Sequence, residues 1–121
     1  AFPSIATTLQ GMLALGQIPS FDLNAVCSGF IYGMHVARAL IEIYNYKKVL
    51  LVGADKMSSV LDMQDRTTAV LFGDGAGAVI LTADKNKLFD VVINSDGSHA
   101  EILKTTLKQN QAQKIFMKGQ E

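Results

Sequence analysis

The chain has 121 residues, a hydrophobic share of 49%, and eleven basic against eleven acidic residues, so its formal net charge is zero. That length suits one domain or part of a larger one, and the apolar share is sufficient for a core. The neutral balance argues against a general nucleic-acid-binding protein, and a lone cysteine excludes an internal disulfide, which favours a reducing compartment such as the cytoplasm.

The pattern at the start of the chain predicts a helix over residues 2–15. Pro3 and Ser4 can begin it, and Gly16 is the candidate for its C-cap. An apolar stripe at spacings of three and four supports the helix, and it consists of Ile5, Leu9, Met12 and Leu13. Asp22 is the only charged residue before Met34, so this region is expected to lie inside the protein or an oligomer.

The only cysteine, Cys27, stands between a predicted strand over residues 21–26 and a predicted helix over residues 28–44. The free N–H groups and the dipole at a helix N-terminus favour a thiolate there. Gly29 leaves room for a substrate to approach the sulfur. This pattern is typical of a nucleophile on an elbow. A buried core cysteine is the alternative, and position alone does not separate the two.

The segment after Cys27 predicts a buried helix followed by a buried strand. Residues 28–44 are apolar on nearly every side, which indicates a helix covered all round. Arg38 and Glu42 interrupt the run, so no segment is expected to span a membrane. Residues 47–53 are continuously apolar after their basic start, which predicts a parallel strand covered on both faces. The order of elements indicates an α/β fold with a right-handed crossover.

Three alternating glycines, Gly73, Gly75 and Gly77, lead into a predicted strand around residues 79–81. A phosphate-binding loop would hand its glycines to a helix N-terminus. Here they lead into a strand, so we favour a close backbone approach, with the buried helix as the candidate for the element approached. Asp74 is a candidate to cap or orient this glycine segment.

The rest of the chain is more polar. We predict a strand over residues 89–93, a turn over residues 94–98, and an exposed tail with a short strand near residues 115–117. The tail carries a group of lysines that could form a basic patch, although a solvated face is the favoured interpretation: Lys104, Lys108, Lys114 and Lys118. The start without Met and the end at residue 121 suggest a piece of a longer chain.

A few other side chains are candidates for chemistry. His35 lies eight residues after Cys27, a rise of ~12 Å along a helix, too far to act as its base. His99 fits a surface loop. Arg66 either pairs with Asp62 or Asp65 or anchors an anionic ligand. Several apolar residues fit either a core or a pocket, namely Phe2, Met57, Leu71, Phe72 and Leu103.

Five blocks in order resemble β-ketoacyl-ACP synthase III, a condensing enzyme of the thiolase fold. The blocks are Ala1-Phe2-Pro3-Ser4, residues 21–33 around Cys27, Asp65-Arg66-Thr67, residues 71–78, and Asp96-Gly97-Ser98. The resemblance implies an α/β fold of thiolase type. Residues 1–121 would be a single segment of its N-terminal half, with a mixed, mostly parallel sheet around a buried helix.

The resemblance also implies an activity. Cys27 would take a short acyl group, acetyl most simply, from acyl-CoA, and decarboxylation of malonyl-ACP would then complete the condensation that initiates type II fatty-acid synthesis. The Cys27 N–H would stabilise the oxyanion, and Arg66 would hold the adenine end of CoA. Met57, Leu71, Phe72 and Leu103 would border the acyl pocket. Phe2 would reach into the partner subunit of a homodimer. No cofactor or metal is expected.

The chain departs from the family in one respect. The family's active site is Cys-His-Asn, and the motifs that carry its His and Asn are absent here, as is the usual first βα segment. His35 and His99 match neither. We therefore expect the isolated chain not to complete condensation. The alternatives are a related synthase with another starter or product, a non-catalytic dimerisation or binding module, and a nucleotide-binding domain that uses the glycines.

Overall fold

The computed structural model describes residues 2–84, 90–106 and 114–119. Among these residues, the helices are α1 (Ile5–Met12), α2 (Gly29–Tyr44) and α3 (Arg66–Ala69), with short 3₁₀ turns at Val26–Ser28, Met57–Ser59 and Gly97–His99. The strands are β1 (Lys48–Lys56), β2 (Asp74–Thr82), β3 (Leu103–Thr106) and β4 (Lys114–Met117).

Helix α1 is shorter at both ends than the predicted range 2–15, although Ser4 begins it as expected. The Ser4 hydroxyl accepts a hydrogen bond from the Thr7 N–H and caps the helix. Leu13 is the C-cap, and Ala14 already has a positive φ of 51°. The predicted C-cap Gly16 lies beyond the helix, where its carbonyl accepts a hydrogen bond from the Gln10 side chain.

The strand predicted over residues 21–26 is wrong. Residues 21–25 have no regular structure, and Val26 opens a 3₁₀ turn. Two polar side chains explain the difference, because each bonds to nearby backbone in place of a strand ladder. Asp22 accepts from the N–H groups of α1, and Asn24 Oδ1 accepts from the Val26 N–H at 3.1 Å. Because residues 21–26 form no strand, the predicted right-handed crossover between two parallel strands is wrong as well.

The predicted parallel sheet is also wrong for the pairings that the structure describes. Strands β1 and β2 pair antiparallel, from Lys48 opposite Thr82 to Lys56 opposite Asp74, and β3 pairs antiparallel with β4. Partly buried and exposed residues alternate along most of β1, so only one face is covered in this chain. A continuous run of apolar residues indicates that a strand is buried in the complete fold. It does not reveal whether that strand pairs parallel or antiparallel.

The predictions for the other strands differ in outcome. Of the glycines predicted to precede a strand, Gly75 and Gly77 lie inside β2, and Gly73 comes directly before it. The strand near residues 115–117 is confirmed as β4. Of the strand predicted over residues 89–93, Phe89 lies outside the described residues, and residues 90–93 have no regular secondary structure.

Helix α2 confirms the predicted helix and packs closely on β1. A Cβ atom at Gly33 would lie 2.5 Å from Leu51 Cδ1, and one at Gly53 would lie 3.4 Å from Phe30. Gly33 and Ala37 are buried at this contact. The small residues therefore let the helix that follows Cys27 approach the sheet.

The expectation that α2 is buried all round is wrong for this chain. Ile31 is 47% exposed and Ile43 is 69% exposed. The total accessible surface is 9977 Å², against about 6,400 Å² expected for a folded monomer of this mass. The apolar faces of α2 and the sheet therefore lack the layers that would cover them.

The two charged residues expected to exclude a membrane span, Arg38 and Glu42, do not keep their helix below the criteria of length and apolarity. Among the described residues, one helical stretch, Val26–Tyr44, meets those two criteria with 19 residues. The same test is passed by core helices of soluble proteins. Within this stretch Arg38 Nε lies 2.8 Å from Glu42 Oε1, and the Gly33 face packs on Leu51, which favours a core helix.

A second, smaller core joins α3 to the β3–β4 hairpin. Thr68, Leu61 and Ile115 are buried there. The Ile115 N–H donates to the Val60 carbonyl at 2.9 Å, and Lys114 Nζ donates to the Leu61 carbonyl at 2.8 Å. The hairpin is thereby fixed to the segment that follows β1.

We expect Gly33→Val to destabilise the fold by about 1–3 kcal/mol, because the added side chain overlaps Leu51. The change is measured as a lower urea midpoint of unfolding. Adding Leu51→Ala should recover part of the loss by making space.

The matched control for Gly33→Val is Gly11→Ala, in the last turn of α1, where a Cβ meets nothing within 4 Å. It should stabilise the chain by up to about 1 kcal/mol through helix propensity. An unchanged midpoint for Gly33→Val would show that α2 and β1 do not pack as closely as described.

Candidate active site

Cys27 is the middle residue of the turn Val26–Ser28, immediately before α2. It is a free cysteine with an exposed side chain. The alternative of a buried core cysteine is therefore not what the structure shows. An exposed sulfur at the start of a long helix is accessible to an electrophile and lies at the positive end of the helix dipole.

The backbone just before the sulfur is strained. Val26 has a φ of 48°, a left-handed conformation that is rare for a β-branched residue. The Asn24 side chain holds this conformation by accepting from the Val26 N–H, and the Ser28 N–H donates to the Ala25 carbonyl at 3.1 Å. Such strain is typical of functional sites. Here it lies at the residue directly before Cys27.

Asp22 anchors the segment that leads to this turn. Its carboxylate accepts from the N–H groups of Ala6 at 2.8 Å and Ile5 at 3.0 Å, and from the Ser4 hydroxyl at 3.0 Å. These hydrogen bonds, with Ala6 contributing most, lower the pKa of the Asp22 carboxyl below its usual value. In the sequence Asp22 was noticeable only as an isolated charge. The helix predicted after Ser4 has backbone N–H groups in its first turn that need acceptors. That need was the signal for the role of the Asp22 carboxylate.

We expect Asp22→Ala to lower the thermal midpoint at pH 7, since α1 loses three hydrogen bonds to the segment before Cys27. Because the folded pKa is lowered, this stabilisation is present above the ordinary aspartate pKa of about 3.9 and disappears as the pH falls through the folded pKa. The difference between variant and parent should therefore shrink in strong acid.

The matched control for Asp22→Ala is Asp55→Ala, at an exposed aspartate in β1 whose side chain makes no hydrogen bond among the described residues. It should leave the thermal midpoint nearly unchanged. A pH-independent difference for Asp22→Ala would contradict the proposed role of its charge.

An open groove of about 530 Å³ lies between the first turn of α2 and the ends of β1 and β2. Phe30, three residues after Cys27, forms one side, and the other lining residues are Gly53, Asp55 and residues 73–77. A Cβ at Gly73, Gly75 or Gly77 would meet nothing within 4 Å. The close backbone approach predicted at these three glycines is therefore wrong within the described residues. Their backbone instead forms the open base of the groove.

Asp74, predicted to cap or orient the glycine segment, bonds instead to the turn Met57–Ser59. Its carboxylate accepts from the Ser58 N–H at 2.8 Å and from the Ser58 hydroxyl at 2.7 Å. These bonds lower the pKa of the Asp74 carboxyl. They join the start of β2 to the turn that carries Met57.

Arg66 is the first residue of α3, and its side chain is exposed. The predicted pairing with Asp65 or Asp62 is absent from the ion pairs of the described residues. The Asp65 carboxylate instead accepts from Thr67 N–H at 2.9 Å, Thr67 Oγ1 at 2.6 Å and Thr68 Oγ1 at 3.0 Å, which lowers the pKa of Asp65. The Arg66 guanidinium therefore remains available to an anion.

Comparison with known proteins assigns the family. The sequence model for "3-Oxoacyl-[acyl-carrier-protein (ACP)] synthase III" matches residues 21–97, which include the Cys27 turn, Arg66 and the glycines. The chain belongs to the synthase III family. The resemblance predicted from the sequence blocks is confirmed.

Individual relatives agree with this assignment. The β-ketoacyl-[acyl-carrier-protein] synthases III of Rickettsia massiliae and Rickettsia prowazekii are each 54% identical to the chain over 125 residues, covering 99% of it. The chain spans 39% of the length of each.

Solved structures agree on the fold. The synthase III of Aquifex aeolicus VF5 matches 97% of the chain with a TM-score of 0.86 and 39% identity, over 37% of its own length. The priming β-ketosynthase of the R1128 polyketide pathway matches 95% of the chain with a TM-score of 0.87 and 27% identity, also over 37% of its length. The predicted partial, thiolase-like α/β fold is confirmed.

The apolar residues assigned to the acyl site are not brought together by this synthase III segment. Phe2 is fully exposed, Leu71 and Leu103 are also exposed, and Met57 and Phe72 are partly buried. Neither they nor Cys27 or Arg66 line the groove. Their roles remain predictions that depend on parts of a synthase III outside this chain.

The two histidines of the segment do not complete a catalytic group. His35 is exposed on α2, and His99 is exposed in the turn Gly97–His99. Among the described residues, no group of three or more His, Cys, Asp or Glu side chains could hold a metal ion.

Proposed function

We propose that this chain supplies the acyl-capturing segment of a β-ketoacyl-ACP synthase III. The Cys27 thiolate attacks the carbonyl of a short acyl-CoA, acetyl-CoA most simply, and CoA leaves as the thiol. Malonyl-ACP then loses carbon dioxide, and its carbanion takes the acyl group from sulfur to give a β-ketoacyl-ACP and free Cys27. The exposed Cys27 on a strained turn at the N-terminus of α2, inside the segment matched by the family, is the observation that supports this.

The other assignments extend the same proposal. The Cys27 N–H stabilises the thioester oxyanion, and Arg66 holds the adenine end of CoA. Met57, Leu71, Phe72 and Leu103 border the acyl chain, and Phe2 reaches into the partner of a homodimer. The side chains of Arg66 and Phe2 are exposed, which supports their proposed contacts with CoA and with the partner subunit. The reaction needs no cofactor, and we place it in the cytoplasm.

A synthase that primes another pathway is the second candidate. The similarity to a priming polyketide β-ketosynthase, with a TM-score of 0.87, favours it. The two candidates share acyl capture at Cys27 and differ in the starter acyl group. A panel of linear and branched acyl-CoA substrates separates them, since preference for acetyl-CoA supports the first.

The test uses a composite synthase in which residues 1–121 replace the matching 39% of the Rickettsia massiliae relative. With acetyl-CoA and malonyl-ACP, we expect mass spectrometry to detect acetoacetyl-ACP. A folded composite that makes no product and forms no acyl-cysteine, while the Rickettsia parent does both, would overturn the proposal.

A further inference from the structure

An extended stretch, residues 90–95, lies alongside α2 and is tied to it at two points. Asp90 Oδ1 lies 3.5 Å from Arg38 Nη1. At the other end, the Tyr32 hydroxyl lies 2.8 Å from Ser95 Oγ and donates to the Asn94 carbonyl at 3.4 Å. The stretch has no regular secondary structure, so these side chains provide its polar attachment to the helix.

The apolar residues of the stretch support the same placement. Val91 and Ile93 are partly buried, whereas residues 90, 92 and 94 are exposed. This alternation is that of an extended segment with one face against the protein.

The order of the two contacts fixes the direction of the stretch. Arg38 lies six residues after Tyr32, a rise of ~9 Å along α2, whereas its partner Asp90 comes five residues before Ser95. The stretch therefore runs antiparallel to α2 and reaches the helix near its N-terminal end. Tyr32 lies only five residues after Cys27, a rise of ~7.5 Å.

The chain turns immediately after the Tyr32 contact. Asp96 caps the turn Gly97–His99 by accepting from the Ser98 N–H at 2.9 Å. Strand β3 follows with Leu103, which the proposed function assigns to the acyl pocket. The Tyr32–Ser95 contact thus joins α2, the helix after Cys27, to the segment that leads to β3 and Leu103.

We propose that Tyr32 is a positioning residue for acyl capture. Through Ser95 and Asn94 it holds the turn Gly97–His99 beside the Cys27 end of α2, and this placement determines how the acyl group of acyl-CoA is seated. Tyr32 itself touches no substrate. The inference rests on the proposed function of Cys27.

The test measures formation of the acyl-cysteine in the composite synthase with acetyl-CoA and with hexanoyl-CoA. Tyr32→Phe removes the hydroxyl and keeps the ring, whereas Ser95→Ala removes the partner hydroxyl at an exposed site. Ser95→Thr keeps a hydroxyl for rescue. The control is Tyr44→Phe, at an exposed tyrosine on the last residue of α2, whose ring lies beside Tyr46.

Loss of one neutral hydrogen bond corresponds to about a two- to tenfold change. We expect Tyr32→Phe and Ser95→Ala each to change the acetyl-to-hexanoyl ratio of kcat/KM by about that factor, mainly through KM. The double variant should show no further change, Ser95→Thr should restore the ratio, and Tyr44→Phe should leave it unaltered.

Two results would overturn the inference. One is an unchanged ratio in Ser95→Ala, whatever the fate of Tyr32→Phe. The other is an effect of the double variant that equals the product of the two single effects, since that would show that the hydroxyls act independently. Absence of acyl-cysteine in the unsubstituted composite would instead overturn the proposed function, so the two failures are distinct.

Discussion

Replacing Cys27 with serine should abolish acyl capture. The serine hydroxyl keeps nearly the same shape but is a far weaker nucleophile at neutral pH, because an alcohol ionises far less readily than a thiol. We expect the rate of adduct formation from acetyl-CoA in the composite synthase to fall by about 10³-fold or more, the scale seen when an enzyme loses its nucleophile. Intact-protein mass spectrometry measures the fraction of acylated chain against time.

The control for Cys27→Ser is Ser20→Ala, which removes a hydroxyl that donates to the Ile18 carbonyl at 3.4 Å, away from the Cys27 turn. It should acylate at the parental rate. Equal thermal midpoints for Cys27→Ser and its parent would establish that lost chemistry, and not lost structure, explains the result. Unchanged acylation of Cys27→Ser would remove Cys27 from the mechanism.

The 121-residue chain on its own should produce no β-ketoacyl-ACP, whereas the composite synthase should. Condensation requires groups that assist the loss of carbon dioxide from malonyl-ACP. His35 lies ~12 Å along α2 from Cys27, and His99 belongs to an exposed turn. Neither is placed to perform that role at the sulfur.

The measurement is mass spectrometry of the acyl carrier protein after incubation with acetyl-CoA and malonyl-ACP. The composite carrying Cys27→Ser serves as the negative control, and the Rickettsia parent as the positive one. Detection of acetoacetyl-ACP with the 121-residue chain alone would refute the expectation and require a catalytic base within it.

The sequence predicted elements that depend on local pattern. Helix α2, strand β1 and the Ser4 cap each follow from apolar spacing or from a capping residue. The family resemblance came from five blocks in order, which are more specific than any single motif. Cys27 was correctly placed at the start of a helix for the same reason, although the element before it was not a strand.

Other features depend on contacts distant in sequence. The strand expected over residues 21–26 failed in part because Asp22 bonds to the N–H groups of Ile5 and Ala6, 17 and 16 positions away. The contact of Tyr32 with Ser95 spans 63 positions, and no local pattern announces it. The exposure of Ile31 and Ile43 on α2 is likewise not announced by the apolar pattern of the helix itself.

The central claim is that Cys27 is the residue acylated by CoA thioesters. The direct test is to incubate the composite synthase with acetyl-CoA alone, digest it, and locate the acetyl group by tandem mass spectrometry. We expect a single thioester on the peptide that contains Cys27. An acetyl group on any other residue, with Cys27 unmodified, would contradict it.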